Sequence, residues 1–184
     1  MQVEPHQTVV IGLDGLAALV ATLRAEGRTV IGPTVRDGAI VPGEIESVDA
    51  LPVGWTDEQE AGSYRLVRRG DDARFGYAVG PQSWRRYMTP VRERLWRATR
   101  NGASFEVQVE PRDEKRYAFF GVRPCELAAL GVQDRVHAGE TRGDPAYERR
   151  RRDTIVIAVD CGDPAATCFC TSMGTGPKSG PGAD

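Results

Sequence analysis

Apolar positions along this 184-residue chain fall into short runs with two different periods. Val9-Val10-Ile11 is a short apolar run that reads as a strand. Leu13, Leu16, Ala17, Val20 and Leu23 then recur at helical spacing, with Asp14 placed to cap the helix and Gly27 to end it. Thr29-Val30-Ile31-Gly32-Pro33 reads as the next strand and its turn. Residues 34–63 carry several Gly and Pro breaks, with short strands expected around Ala39-Ile40-Val41 and from Ile45 to Val48. Tyr64-Arg65-Leu66-Val67 alternates as a half-buried strand would, and Phe105, Val107 and Val109 alternate as a strand. Between them, residues 83–100 read as helical, interrupted by Pro90, with Val91, Leu95 and Ala98 on one face.

The strongest pattern lies in the last third. Tyr117-Ala118-Phe119-Phe120-Gly121-Val122 and Thr154 to Val159 are continuous apolar runs, the signature of strands covered on both faces. Between them Pro124 suits a first helical turn, and Leu127, Leu130 and Gly131 carry that helix toward Val136. Strand, helix, strand in this order predicts a crossover with parallel strands. The expected fold is α/β, a mixed, partly parallel sheet with flanking helices and a cysteine-containing C-terminal loop. Residues 1–173 are expected to form one domain, with subdivision near 50–62 or 100–104 the alternative. Residues 174–184, rich in Gly, Pro, Ser and Lys, read as a flexible tail leading to a missing further domain.

Composition narrows the function. A chain 40% hydrophobic and 27% charged is that of a globular protein, and a net charge of −2 offers no basic field for nucleic acid. No run approaches the roughly 20 apolar residues of a membrane span, and the N-terminus lacks the basic start and apolar stretch of a signal peptide. The expected compartment is the cytoplasm, where thiols stay reduced.

The four cysteines are unevenly placed. Residues 1–124 hold none, and then come Cys125, Cys161, Cys168 and Cys170. Cys125 and Cys161 each come just after an apolar strand, so both are expected at the carboxyl edge of one sheet, where ligand sites in open α/β folds concentrate. Four thiolates are the ligand set of a [4Fe–4S] cluster. Structural zinc is the first rival, since four thiolates also make a zinc site, but paired Cys-x-x-Cys knuckles are absent here; unrelated buried thiols or redox thiols are the third reading. The spacing does not match the closely set cysteines of bacterial ferredoxins. Cys125 would sit at a helix N-terminus, which favours negative charge. Thr171, Ser172 and Gly174 would offer hydroxyl and N–H donors to sulfur. Arg123 reads either as a counter-charge and sulfur donor or, with Glu126, as a surface ion pair.

Other residues take plainer readings. The run Arg149 to Arg152 reads as a solvated face rather than a docking patch. His6 and His137 have no motif around them. Trp55, Trp84 and Trp96 read as core or interface, and Tyr64 and Tyr117 as packing residues. Gly12-Leu13-Asp14-Gly15 lacks dinucleotide-loop spacing. With no base beside the cysteines, thiol catalysis is not expected.

The string Phe120-Gly121-Val122-Arg123-Pro124-Cys125-Glu126-Leu127-Ala128-Ala129-Leu130 and the later Thr167-Cys168-Phe169-Cys170-Thr171-Ser172-Met173-Gly174-Thr175-Gly176-Pro177 resemble the beta-subunit family of cytoplasmic sulfhydrogenases. The anaerobic sulfite reductase A subunit belongs to the same family. Gly62-Ser63-Tyr64-Arg65-Leu66 and Gly80-Pro81-Gln82-Ser83-Trp84-Arg85-Arg86-Tyr87 agree with it. The resemblance implies an electron-transfer subunit holding one [4Fe–4S] cluster on Cys125, Cys161, Cys168 and Cys170. It implies two partners, a flavin-binding reductase subunit, which would carry any flavin or NAD(P), and a metal-containing catalytic subunit. Family members typically continue into a ferredoxin-like domain with two further clusters, and this sequence ends before any such motif.

Overall fold

The computed structural model describes residues 8–109, 115–139 and 143–184. Helix α1 (Leu13–Ala25) leads into an antiparallel hairpin of β1 (Arg28–Arg36) and β2 (Ala39–Glu44). Asp37 and Gly38 form its two-residue turn, both at positive φ, the geometry that matches strand twist. A second hairpin, β3 (Trp55–Glu60) and β4 (Ser63–Arg68), precedes the single helical turn α2 (Arg85–Met88). A third hairpin pairs β5 (Trp96–Asn101) with β6 (Ser104–Val109). The last elements are β7 (Arg116–Val122), α3 (Pro124–His137), α4 (Pro145–Arg152) and β8 (Ile155–Ala158), and residues 159–184 follow them.

One four-stranded sheet gathers the apolar runs in the order β2-β1-β7-β8, with β2 antiparallel to β1 and the other pairs parallel. This is the mixed, partly parallel sheet that the sequence pattern predicts, and the segment from β7 to β8 is the expected crossover. Alternation along β7 decides the two faces. Ala118 and Phe120 pack with Val20 and Leu23 of α1, with Val30 and with Ile45. Tyr117 and Phe119 pack on the other face with Trp84, Met88, Leu127, Leu130 and Tyr147. Both faces are covered, so β7 buries every side chain except Arg116.

Several expectations are corrected. Val9-Val10-Ile11 is exposed and joins no strand. Gly12, not Asp14, is the N-cap of α1, and Asp14 lies in its first turn. Ile45 is buried, but the chain after it turns into a short 3-10 helix at Val48–Ala50 instead of a strand, capped by the Ser47 side chain. The helix expected over residues 83–100 is cut to Arg85–Met88. Pro90 has no N–H to continue it, and Trp96 to Asn101 pair with β6. Val91, Leu95 and Ala98 are exposed. The four arginines lie on α4, and Arg150 is only 5% exposed, its guanidinium on Glu93 at 2.6 Å and on the Met88 carbonyl. Arg149 and Arg151 are half-buried, Arg151 against Asp134 at 3.2 Å, so a solvated face describes Arg152 alone. Of the tryptophans, Trp84 is core, Trp55 stacks under Arg68, and Trp96 is exposed. Tyr117 is buried, and the Tyr64 hydroxyl accepts from the Ile40 N–H. His137 is half-buried against the Tyr147 ring. His6 lies outside the described residues.

The two environments should separate cleanly in unfolding experiments. Phe119 is fully buried in the aromatic layer beside Trp84 and Tyr87. Phe119→Ala is expected to cost about 3–5 kcal/mol in urea unfolding. Trp96→Ser, on an exposed hairpin, is expected to stay within about 0.5 kcal/mol.

Candidate cysteine site

The site begins with a defect in β7. Its pairing with β8 shifts between Phe120 and Val122, and Gly121 there has φ +89°. Beside Gly121 lie Phe75 and Pro33, both within contact distance of any added β-carbon. Such a bulge bends the strand and re-aims the residues after it. Arg123 comes next as the N-cap of α3, and Pro124, Cys125 and Glu126 are the first three residues of that helix. The Glu126 carboxylate accepts from the Arg123 backbone N–H at 2.9 Å, fixing the entry of the chain into the helix.

Alongside, β8 keeps pairing past its end, with the Val159 N–H on the Val122 carbonyl. Cys125 thus lies three residues beyond the end of one strand, and Cys161 three residues beyond the end of its parallel neighbour. Both lie on neighbouring turns at the carboxyl edge of the sheet. The segment carrying Cys168 and Cys170 returns to the same place. A β-carbon on Gly176 would stand 3.1 Å from Cys170 Sγ and 3.6 Å from Pro124 Cβ, so Gly176 fills the gap between Cys170 and the start of α3. The Cys161 N–H donates to the Pro177 carbonyl at 3.0 Å. Residues 170–174 form a turn in which Thr171, Ser172 and Gly174 are exposed. The Thr175 N–H closes the turn on the Cys170 carbonyl at 2.9 Å, and the Gly174 N–H donates to the Thr171 carbonyl. The Ala165 N–H lies 3.3 Å from Cys168 Sγ, one backbone donor already on sulfur.

Supports come from elements that the cysteine pattern does not mark. Thr167 Oγ1 donates to Gln59 Oε1 of β3, and Arg69 pairs with Asp163 at 3.2 Å. Arg123 is 2% exposed, so it forms no surface ion pair. Its guanidinium donates to the carbonyls of Asp160 (2.7 Å), Phe75 (2.5 Å) and Tyr77 (2.9 Å). No local signal marks residues 75–77 as part of this region. Gly176 shows in the sequence only as one letter of the Cys-Phe-Cys string.

The four thiols share one electrostatic neighbourhood. Burial pushes the Cys125 thiol up to about 11, helped by Glu126 and by the Cys170 and Cys161 thiols. Burial also raises Cys161, the nearby Arg123 charge opposing it and the Cys168 and Cys170 thiols adding to it. Desolvation at Cys125 therefore outweighs the helix N-terminus, which acts in the opposite direction. Glu126 is likewise raised by burial, against the pull of the Arg123 N–H and charge. Among the described residues, no group of three or more His, Cys, Asp or Glu side chains stands close enough to hold a single metal ion. The donor set still has the chemistry of a thiolate-held group. All four cysteines belong to segments that meet at one edge of the sheet, Cys168 with an N–H on its sulfur and Cys125 at a helix N-terminus, and Gly176 lies against the Cys170 sulfur.

Comparison with known proteins gives one partial likeness. The chain is 32% identical over 77 residues to sulfhydrogenase 2 subunit beta of Pyrococcus furiosus. The match covers 40% of this chain and 22% of that protein, so the chain spans a minor part of the relative's length. No protein-family model matches, and no solved structure matches. Among the described residues no helix is long and apolar enough to cross a membrane.

The metal-free chain should show this ordering of thiols. Cys168 is exposed and Cys125 is half-buried and protonated far above neutrality. With iodoacetamide at pH 8, Cys168 should be alkylated first and Cys125 last by peptide mass spectrometry. Because only the thiolate reacts, the Cys125 rate should keep rising until about pH 11.

Proposed function

We propose that this chain is an electron-transfer module that holds one [4Fe–4S] cluster on Cys125, Cys161, Cys168 and Cys170, within a multi-subunit complex of the hydrogenase or sulfur- and sulfite-reductase type. The observation that supports the reading is that Cys125 and Cys161, 36 positions apart in sequence, follow parallel neighbouring strands to one sheet edge, where the segment bearing Cys168 and Cys170 returns to the start of α3. The partial likeness to a sulfhydrogenase beta subunit supports it. Such a cluster supplies a reversible one-electron change. The chain's residues would do the rest. The ends of β7 and β8 hold Cys125 and Cys161 at fixed separation. The turn at 170–174 brings Cys170 in over Gly176, with Thr171, Ser172 and Gly174 as outer donors. The Arg123 charge lies close enough to Cys161 to favour thiolate there. The partners of this reading are a flavin-binding reductase subunit and a metal-containing catalytic subunit, in the cytoplasm, with flavin or NAD(P) on the partner alone.

The test is iron and acid-labile sulfide per chain after anaerobic purification. About four of each are expected, because a cube takes four thiolates and the chain has four cysteines. Cys125→Ser should lose most of the iron. One zinc without sulfide would replace the reading with a structural or docking module.

Loading should also order one part of the chain. Residues 164–176 contain no strand or helix, whereas β7 and β8 are held by the core whatever the cysteines bind. Hydrogen exchange from about Pro164 onward should slow on loading while exchange in β7 stays unchanged. Equal protection of that segment in loaded and metal-free protein would remove the cluster from its structural role.

A further inference from the structure

Arg123 is the largest of the fully buried side chains. Its position is unusual for the partners it lacks. A guanidinium is a rigid planar fork of five donors, suited to bidentate recognition of carboxylates. Here its two terminal nitrogens are engaged by main-chain carbonyls of three residues in two separate segments, Phe75 and Tyr77 in one and Asp160 in the other. The ring of Tyr77 lies 5.0 Å from the guanidinium carbon. Each acceptor has a place in the site. Asp160 immediately precedes Cys161, and its own carboxylate accepts from the Ser179 N–H at 2.7 Å, beyond the last cysteine. Phe75 to Tyr77 cross behind the bulge of β7, where the Phe75 ring meets Gly121 and Phe120. Arg123 itself begins the helix that carries Cys125.

We propose that Arg123 is a positioning residue, a clasp whose buried guanidinium ties the turn bearing Cys161 and the segment 75–77 to the start of α3 and so sets Cys125 against Cys161. This rests on the reading of the four thiols as one centre. The clasp acts through position, since its terminal nitrogens are occupied by carbonyl oxygens. A lysine would keep the charge but not the fork, and could reach only one of the two segments at a time.

Two variants test it, Arg123→Met and Arg123→Lys, each compared with the wild type in two measurements. In the metal-free chain, both variants are expected to speed hydrogen exchange at residues 75–79 and 159–163 while exchange in β1 stays as in the wild type. In the anaerobically loaded chain, both are expected to hold iron about 10–100-fold more weakly against a chelator, the range for outer-shell partners of metal ligands. Should Arg123→Met fail to fold, Arg123→Lys, which keeps the stem and the charge, carries the comparison. Wild-type exchange in these segments in Arg123→Met overturns the clasp. Full rescue of both exchange and iron retention by lysine overturns it as well, because charge alone would then suffice. A wild-type chain that holds no iron removes the cluster reading, and the exchange comparison still decides the clasp.

Discussion

Parallel pairing of β7 with β8 sets the geometry on which the cysteine site depends. Parallel neighbours end at the same edge of a sheet, and bringing them together requires a crossover connection. Here that connection, between Val122 and Ile155, carries α3 and α4. The pairing is secured by the apolar core, with Phe119, Val156 and the aromatic layer around Trp84. An antiparallel pair would have sent the two cysteines to opposite edges. The bulge at Gly121 then turns the end of β7 so that Arg123 points inward and Cys125 falls in the first turn of a helix.

The irregular segment 75–79 depends on this arrangement in turn. It belongs to no strand or helix, and its backbone is satisfied by side chains arriving from elsewhere. Arg123 takes the carbonyls of Phe75 and Tyr77, Arg69 that of Gly76, Gln59 that of Val79, and Asp57 accepts from the Ala78 N–H. Two of these side chains also reach the cysteine segment, Gln59 through Thr167 and Arg69 through Asp163. The second hairpin, β3 and β4, is thereby a brace between a buried loop and the segment bearing Cys168. Buried main-chain groups left unpaired are costly, which explains why so many long side chains converge on five residues.

Which parts of this are legible in the sequence depends on which interactions are local. The run Tyr117–Val122 announces a strand covered on both faces, and Pro124 a helix start, because such burial and a missing N–H leave marks in adjacent residues; Thr154–Val159 announces a strand equally, but β8 is an edge strand in which Val156 alone is buried. Cys125 and Cys161 at one edge can be inferred from those marks. The burial within the arginine-rich α4 cannot, since Arg150 is covered by Glu93 and Met88, about 60 residues away. Residues 83–100 mislead because Val91, Leu95 and Ala98 share helical spacing, while pairing with Phe105–Val109 claims Ala98 for a strand. Segment 75–79 carries no periodicity at all, and its partners are arginine, glutamine and aspartate side chains that could have faced water equally well.

Burial at the cysteines cuts in two directions. The packing that fixes Cys125 also desolvates it, and desolvation favours the neutral thiol by enough to hold its pKa at about 11 against the helix N-terminus. A thiol so protonated is protected from oxidation and disulfide exchange, because both proceed through the thiolate. The same desolvation opposes the thiolate that any metal centre requires, so binding must supply the free energy of deprotonation. The cationic charge of Arg123, itself desolvated and carried between Tyr77 and the Asp160 carbonyl, works in the opposite sense at Cys161, as does the Asp163 backbone to a lesser extent. The neighbouring thiols raise one another here, so it is the positive charge of bound metal, added to that of Arg123, that would let four thiolates stand together in the proposed cluster.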